Sequence, residues 1–160
     1  MNQLESENEV IIERSFEAPR ELVFKLWTDP FHLAHWWTPF GFAAHVMKME
    51  VRAGGSFHIE LQTPDGQRIP ARGTYLKISA PEMIVLRGPD KAEDACGAGI
   101  PPNAVVTITF EESGNKTKLS LHTQFNVSIE KQAASEAGYY QGWESALIAL
   151  ERYLSTVKEE

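Results

Sequence analysis

The sequence has few of the features that mark secreted, membrane or nucleic-acid-binding proteins. It contains one cysteine in 160 residues, so no internal disulfide can form and folding needs no oxidising compartment. No basic run is longer than a pair and the net charge is −7, which excludes the concentrated cationic face that nucleic acid requires. The acidic opening MNQLESENEV lacks the features of a signal peptide, and no run of about 18 apolar residues predicts a membrane span. We expect a cytoplasmic protein.

Length and composition predict one globular domain. The chain is 42% hydrophobic and 23% charged, which fits a single ordinary domain. A chain of this length buries roughly 70% of the surface that its unfolded form exposes, enough for a core without disulfides or a structural metal. We predict a flexible acidic lead over residues 1–8 and a single domain over residues 9–158.

The first third of the chain predicts a strand and two short helices. Apolar and polar residues alternate over residues 10–16, which is typical of a strand. Helical spacing then follows from Pro19 to Asp29 and again over residues 31–37. Turn signals such as Gly54-Gly55 divide the next part of the chain into about six more strands.

The last part of the chain predicts a long loop and a long helix. Residues 89–102 are rich in glycine, proline and charge, and we interpret them as the longest loop. Cys96 lies in this loop without a flanking histidine, so a reactive thiol is not favoured. Apolar residues recur every three or four positions over residues 129–157, which predicts a helix with Ser128 as its cap.

Strand parity predicts that one face of the sheet is apolar and covered. Consecutive strands joined by short turns imply an antiparallel sheet, and the long helix is the only element large enough to cover it. The fold class is therefore α+β. A strongly curved sheet leaves space beside one helix, and that space is either filled by large side chains or open as a cavity. The residues predicted to line it are Phe57, Ile59, Leu61, Tyr75, Ile108, Phe110, Leu121, Tyr140, Trp143 and Leu147.

The run FEAPRELVFKLWTDPFHLAHWW, from Phe16 to Trp37, resembles the opening signature of the START-like (SRPBCC) superfamily. The similarity is to the branch related to the activator of heat-shock protein 90 ATPase. Further matches are Gly54-Gly55 before a strand, Gly73-x-Tyr75 leading to the Ala80-Pro81-Glu82 turn, and Gly142-Trp143 followed by Leu147, Leu150 and Leu154. The resemblance implies the helix-grip fold, a curved sheet of about seven strands wrapped around a C-terminal helix. It implies diverse functions, since relatives carry lipids and hormones, cyclise polyketides or act as co-chaperones.

Two departures from relatives narrow these functions. The eukaryotic co-chaperone has a separate N-terminal domain, whereas the first strand here begins near residue nine, which speaks against the chaperone role. The glycine-rich loop of the pollen-allergen branch is reduced here to Ala53-Gly54-Gly55, which favours a plain hairpin over a phosphate cradle.

The sequence contains no recognisable catalytic or metal-binding constellation. His32 and His35 lie three residues apart before Trp36, but no cysteine or carboxylate is placed to complete a metal site, and a partly exposed helix end is favoured. No nucleophile with a base and no paired carboxylates occur at a known spacing. The polar residues that would face inward if the strand register slipped by one are Arg14, Glu60, Arg72 and Tyr75. We predict no cofactor and no metal.

Three functions remain open. The first is non-enzymatic binding of a small, largely apolar molecule between the sheet and the last helix. The second is a co-chaperone-like, stress-related module that binds a protein partner through an exposed apolar patch around Trp36, Trp37, Phe40 and Phe42. The third is a cyclase/aromatase-like or hydrolytic enzyme that uses isolated polar groups in the cavity. The sequence leaves monomer and homodimer open.

Overall fold

Residues 8–89, 103–125 and 139–158 of the computed structural model are described here. Within them, seven strands form one antiparallel sheet in the order β1-β7-β6-β5-β4-β3-β2. The strands are β1 (Glu9–Phe16), β2 (Ala43–Met49), β3 (Ser56–Gln62), β4 (Arg68–Ser79), β5 (Met83–Arg87), β6 (Val105–Ser113) and β7 (Lys116–Gln124). The predictions for residues 1–7 of the acidic lead, for most of the long loop with Cys96, and for the Ser128 cap lie outside the described residues.

Two short helices follow β1. They are α1 (Arg20–Thr28) and α2 (Pro30–Trp36), and a 3₁₀ turn (Pro39–Gly41) comes after them. Asp29 both ends α1 and caps α2, because its side chain accepts a hydrogen bond from the Phe31 amide at 2.9 Å. Pro30 takes the first position of α2, where its missing N–H costs nothing. Asp29-Pro30 thus sets the break between the two helices.

The last helix, α3, covers Tyr139–Lys158 within the described residues. It lies beside α2, the 3₁₀ turn and β1, while α1 lies against β6 and β7 and α2 against β2. All three helices therefore pack on the same face of the sheet, and the core lies between them and the strands. No helix of the described segments is long and apolar enough for a bilayer crossing. The predicted α+β class and helix-grip architecture are confirmed.

Candidate functional site

The inward face of the sheet carries almost all the residues that the sequence assigned to a cavity. Nine of them are buried, namely Phe57, Ile59, Leu61, Tyr75, Ile108, Phe110, Leu121, Trp143 and Leu147. Strand alternation places the members from β3, β6 and β7 there, since each of these strands buries every second residue. Their orientation toward the interior is therefore established, and their contact with a ligand stays a prediction.

Tyr140 is the exception. Its side chain is 39% exposed, whereas the neighbouring Tyr139 is buried. Both positions fit the apolar stripe of α3, because Tyr139 precedes Trp143 by four residues and Tyr140 by three. The prediction of an inward Tyr140 is wrong by one residue, and Tyr139 occupies the interior position.

Aromatic rings from the sheet and the helices touch one another across the interior. Trp143 of α3 stacks on Trp27 of α1 and on Trp37, which follows α2, with ring centroids 5.8 and 5.6 Å apart. The ring centroid of Phe110, on β6, lies 6.1 Å from that of Trp27. We call the full set the aromatic chain: Phe24, Phe110, Trp27, Trp143, Trp37, Phe57 and Tyr75.

Beyond Trp37, the aromatic chain continues to Phe57 on β3 and ends at Tyr75 on β4. Phe57 lies 6.2 Å from Trp37 and 5.3 Å from Tyr75, measured between ring centroids. A Cβ atom at Gly73 would lie 2.5 Å from the Phe57 ring, so only glycine lets that ring lie across β4. The Gly73-x-Tyr75 motif thus positions Phe57 beside Tyr75.

Tyr139 takes part in a small buried hydrogen-bond network. Its hydroxyl lies 2.5 Å from the Thr123 hydroxyl of β7, and the indole N–H of Trp143 also donates to it. Burial raises the pKa of Tyr139 well above its ordinary value, and the two hydrogen bonds offset part of that rise. The network joins α3 to the sheet, which is a structural role.

Tyr75 is also buried but has different partners. Its side chain is 5% exposed, and burial raises the pKa of its hydroxyl well above the ordinary value. In the described part of the chain the hydroxyl makes no hydrogen bond. It is therefore a polar group on the inner face that has no protein partner there.

A second unpaired polar group belongs to Trp27. The side chain is buried, and its indole nitrogen has no hydrogen-bond acceptor among the described residues. Its neighbour Trp36, in contrast, donates from its indole nitrogen to the Leu26 carbonyl oxygen at 2.8 Å. Sequence reasoning identified neither difference, because both residues show only as apolar positions of a helical pattern.

No charged residue is buried as a whole in the described interior. The buried polar side chains there are Thr117 and Thr123, and none of the described buried side chains is charged. Arg14 shares the inward face of β1, and its Nε atom is buried without a partner among the described residues. The end of its side chain pairs with Glu151 of α3, and the two side chains are 34% and 53% exposed. This pair marks the rim of the interior.

Two other polar candidates face away from the helices. Glu60 bonds His58 at 3.0 Å on the outer face of β3, and Arg72 is exposed on β4. The strand register is therefore not shifted by one, so neither residue belongs to the interior. Among the described residues no group of three histidine, cysteine or acidic side chains could hold a metal.

His32 and His35 both contact Tyr153 of α3. The Nδ1 atom of His32 lies 2.6 Å from the Tyr153 hydroxyl, and the His35 ring stacks on the Tyr153 ring at 5.0 Å. These contacts join α2 to α3.

An open groove of about 690 Å³ lies between the outer side of α3 and the segment of α2 with the 3₁₀ turn. Its lining includes His35, Thr38, Glu144, Ser145, Ile148 and Arg152. Phe40 beside it is 41% exposed. Trp36 and Trp37 are buried instead, so the prediction that they form an exposed apolar patch with Phe40 and Phe42 is wrong for both tryptophans.

The fold and its apolar, aromatic interior define a helix-grip domain of the START-like superfamily. The sequence pattern described as "Activator of Hsp90 ATPase homolog 1-like protein" matches residues 17–155. The chain belongs to this family, and the resemblance seen in the sequence is confirmed. No match was found among curated proteins.

Solved structures of bacterial proteins share the fold. A protein from Nitrosomonas europaea is 20% identical with a TM-score of 0.80, covering 98% of this chain and 100% of its own. A protein from Staphylococcus epidermidis is 26% identical with a TM-score of 0.78, covering 98% and 94%. An AHSA1-like protein from Aeromonas hydrophila is 20% identical with a TM-score of 0.68, covering 95% of each chain.

Proposed function

We propose that the chain binds a small, largely apolar molecule between the sheet and α3. The observation that carries this proposal is the composition of the inward face, which is apolar and aromatic and has no buried charge among the described residues. Small-molecule sites in proteins are concave and mostly apolar, with a few polar groups that fix orientation. The nine buried residues of the predicted set are the proposed lining. The cytoplasmic location stays a prediction.

Native mass spectrometry of freshly purified protein tests this function. We expect a bound small molecule as an added mass that disappears on unfolding, and the same spectrum distinguishes a monomer from a homodimer. The uncharged fluorophore N-phenyl-1-naphthylamine serves as a second probe, since its emission rises in apolar surroundings. A protein with no added mass that also leaves the fluorophore emission unchanged would contradict the proposal.

A pair of variants on β3 locates the bound probe. Ile59→Phe adds volume on the inward face and should weaken fluorophore binding, because the added ring competes for the same space. His58→Phe places the same side chain on the outer face of the same strand and should leave binding unchanged. Equal affinity in the two variants would place the fluorophore outside the interior.

Partner binding is a second candidate, supported by the groove outside α3. Phe40 and Ile148 expose apolar surface there, 41% and 39% of each side chain. Phe40 also adopts φ 57°, a left-handed conformation that is rare outside glycine, and its amide bonds the Ser145 hydroxyl at 3.1 Å. The family description suggests a chaperone of the heat-shock protein 90 class as the partner to test.

A pull-down with that chaperone distinguishes the second candidate. Phe40→Asp should abolish capture if the groove is the docking surface, because it places a charge in an apolar contact. Met47→Asp, at an exposed apolar residue of the edge strand β2, is the matched control. Absence of capture by the unmodified protein would remove this candidate.

The enzymatic alternative gains no support from the described residues. General acid–base catalysis needs groups whose pKa lies near the working pH. Burial raises the pKa of Tyr75 and of Tyr139 away from that range. We therefore do not propose a reaction.

A further inference from the structure

Tyr75 is fixed in place by its main chain on both sides. Its carbonyl oxygen accepts a hydrogen bond from the Gly54 amide, and its own amide donates to the Gly55 carbonyl, each at 2.8 Å. A Cβ atom at Gly55 would lie 2.1 Å from the Glu50 carbonyl oxygen, so the loop can approach only with glycine there. The β2–β3 loop thereby holds β4 at residue 75.

The strand ladder is interrupted immediately after Tyr75. The register between β4 and β5 shifts between Tyr75 and Lys77, and Leu76 between them is 45% exposed. Bulges of this kind redirect side chains and occur often beside binding sites. The bulge ends regular inward packing at Tyr75, and the Phe57 ring beside it restricts where the tyrosine ring can lie.

The hydroxyl at the end of this fixed side chain has no partner in the described structure. Proteins pair fully buried polar atoms in the great majority of cases, and the fully buried side-chain atoms without a partner in the described segments do not include the Tyr75 oxygen. Tyr139 follows that rule, with Thr123 and Trp143 as its partners. The Tyr75 hydroxyl is fixed in place, has no partner among the described residues and is not fully enclosed, so it is available to an atom that the protein itself does not supply.

The surroundings limit what that atom belongs to. Within the described segments a charged ligand group would find no buried charged partner, because none of the buried side chains there carries a charge. The Phe57 ring lies 5.3 Å from the Tyr75 ring, and Trp37 and Trp143 continue the aromatic chain beyond Phe57. The unpaired indole N–H of Trp27 is a further donor on the same aromatic chain. An uncharged aromatic molecule with an oxygen acceptor fits the lack of buried charge among the described residues, the aromatic surfaces and the unpaired donors.

We propose that Tyr75 is the specificity-determining residue of the interior site, and that its hydroxyl selects an uncharged aromatic ligand by hydrogen bonding to a ligand oxygen. This inference rests on the proposed function of small-molecule binding. It adds the chemical class of the ligand and the residue that recognises it.

Two naphthalenes of nearly equal shape test the inference. 2-Acetylnaphthalene carries a ketone oxygen and 2-ethylnaphthalene does not, and each is titrated as a competitor of N-phenyl-1-naphthylamine. The protein should bind the ketone about fivefold more tightly, the factor that one net hydrogen bond contributes. In Tyr75→Phe the preference should vanish or reverse, because the ketone oxygen is then buried without a donor. Tyr139→Phe removes a hydroxyl that is already paired and should keep the preference.

The outcomes separate the inference from the proposed function. Equal affinity of the unmodified protein for the two naphthalenes, or a preference that survives in Tyr75→Phe, overturns the role of Tyr75 and leaves small-molecule binding standing. Failure of both naphthalenes to bind overturns both. The infrared carbonyl band of bound 2-acetylnaphthalene decides without any variant: a shift to lower frequency supports the hydrogen bond, and a band at its position in hexane contradicts it.

Discussion

Tyr139 and Tyr75 are two buried tyrosines that the same domain uses in different ways. Tyr139 lies on α3, and its hydroxyl is paired with Thr123 of β7 and with the Trp143 indole. Tyr75 lies on β4 at the end of the aromatic chain, where its hydroxyl has no partner within the described segments. Burial raises the pKa of both to a similar degree. Burial alone therefore does not distinguish a structural tyrosine from one that is available to a ligand, whereas the presence of a partner does.

The two regions also differ in how they are held. Around Tyr139 the contact between helix and sheet is made by side chains, so its strength depends on each of them. Around Tyr75 the main chain of the Gly54-Gly55 loop makes the contact, which leaves the side chain uncommitted. Removing the side-chain hydroxyl should therefore weaken folding strongly at Tyr139 and weakly at Tyr75.

Trp143 joins the two regions, and its removal should have the largest effect. It stacks on Trp27 and Trp37 and bonds Tyr139. Trp143→Ala should lower the free energy of unfolding by about 3–5 kcal/mol, because it deletes a large buried ring and leaves a cavity. Urea unfolding followed by far-ultraviolet circular dichroism measures the loss.

The control at this position is Trp143→Phe, which keeps an aromatic ring but removes the N–H. It should cost clearly less than the alanine variant. If both substitutions cost the same, the stacked rings would contribute little and the hydrogen bond to Tyr139 would be the main interaction.

Tyr139→Phe should have the next largest effect. The Thr123 hydroxyl and the Trp143 N–H would each lose a partner while still buried, at a cost of about 1–3 kcal/mol. The same urea titration measures it.

Thr123→Val combined with Tyr139→Phe is the matched control. Replacing both partners by apolar groups of similar shape removes the unpaired hydroxyl, so part of the loss should be recovered. The double variant could instead be less stable than Tyr139→Phe by the same amount that Thr123→Val costs on its own. The two effects would then be additive, which would show that the two hydroxyls do not interact.

At alkaline pH the two tyrosines should contribute equally to the loss of free energy of unfolding. Each folded-state pKa lies above the ordinary value of 10.0, so the unfolded chain ionises first as the pH rises. The contribution of each neutral hydroxyl to the free energy of unfolding is fully present below pH 10. Above pH 10 it is lost progressively, at about 1.4 kcal/mol per pH unit for each tyrosine. Tyr75→Phe and Tyr139→Phe should flatten this decline equally, as urea titrations between pH 9 and pH 11 would show. Unequal flattening would contradict the similar rise of the two pKa values.

Much of the fold is predictable because the sheet has a period of two. Alternation in β3 places Phe57, Ile59 and Leu61 on one face, and a single register error would have moved all three together. Which residue of α3 faces the interior is harder to predict, because Tyr139 and Tyr140 both fit a period of 3.6. Only the packing of α3 against Thr123 decides between them.

The site itself depends on packing between distant segments. Trp36 ends α2 and Trp37 follows it. The partner-binding hypothesis places both in an exposed patch, but contacts with Trp27 and Trp143 bury them. The bulge after Tyr75 has no sequence signal, since Leu76 fits a regular strand. Which hydroxyl finds a partner depends on residues far apart in the chain, such as Thr123 and Tyr139, and no local pattern records it.

The smallest effect should come from Tyr75→Phe at neutral pH. The substitution removes a hydroxyl that has no hydrogen bond to a described residue, so it deletes no such contact. The free energy of unfolding should change by less than about 0.5 kcal/mol or rise slightly, measured on ligand-free protein in urea. A loss as large as that of Tyr139→Phe would mean that the Tyr75 hydroxyl is paired within the protein. Both tyrosines would then have a structural role, and the contrast between a paired hydroxyl at Tyr139 and an unpaired hydroxyl at Tyr75 would not hold.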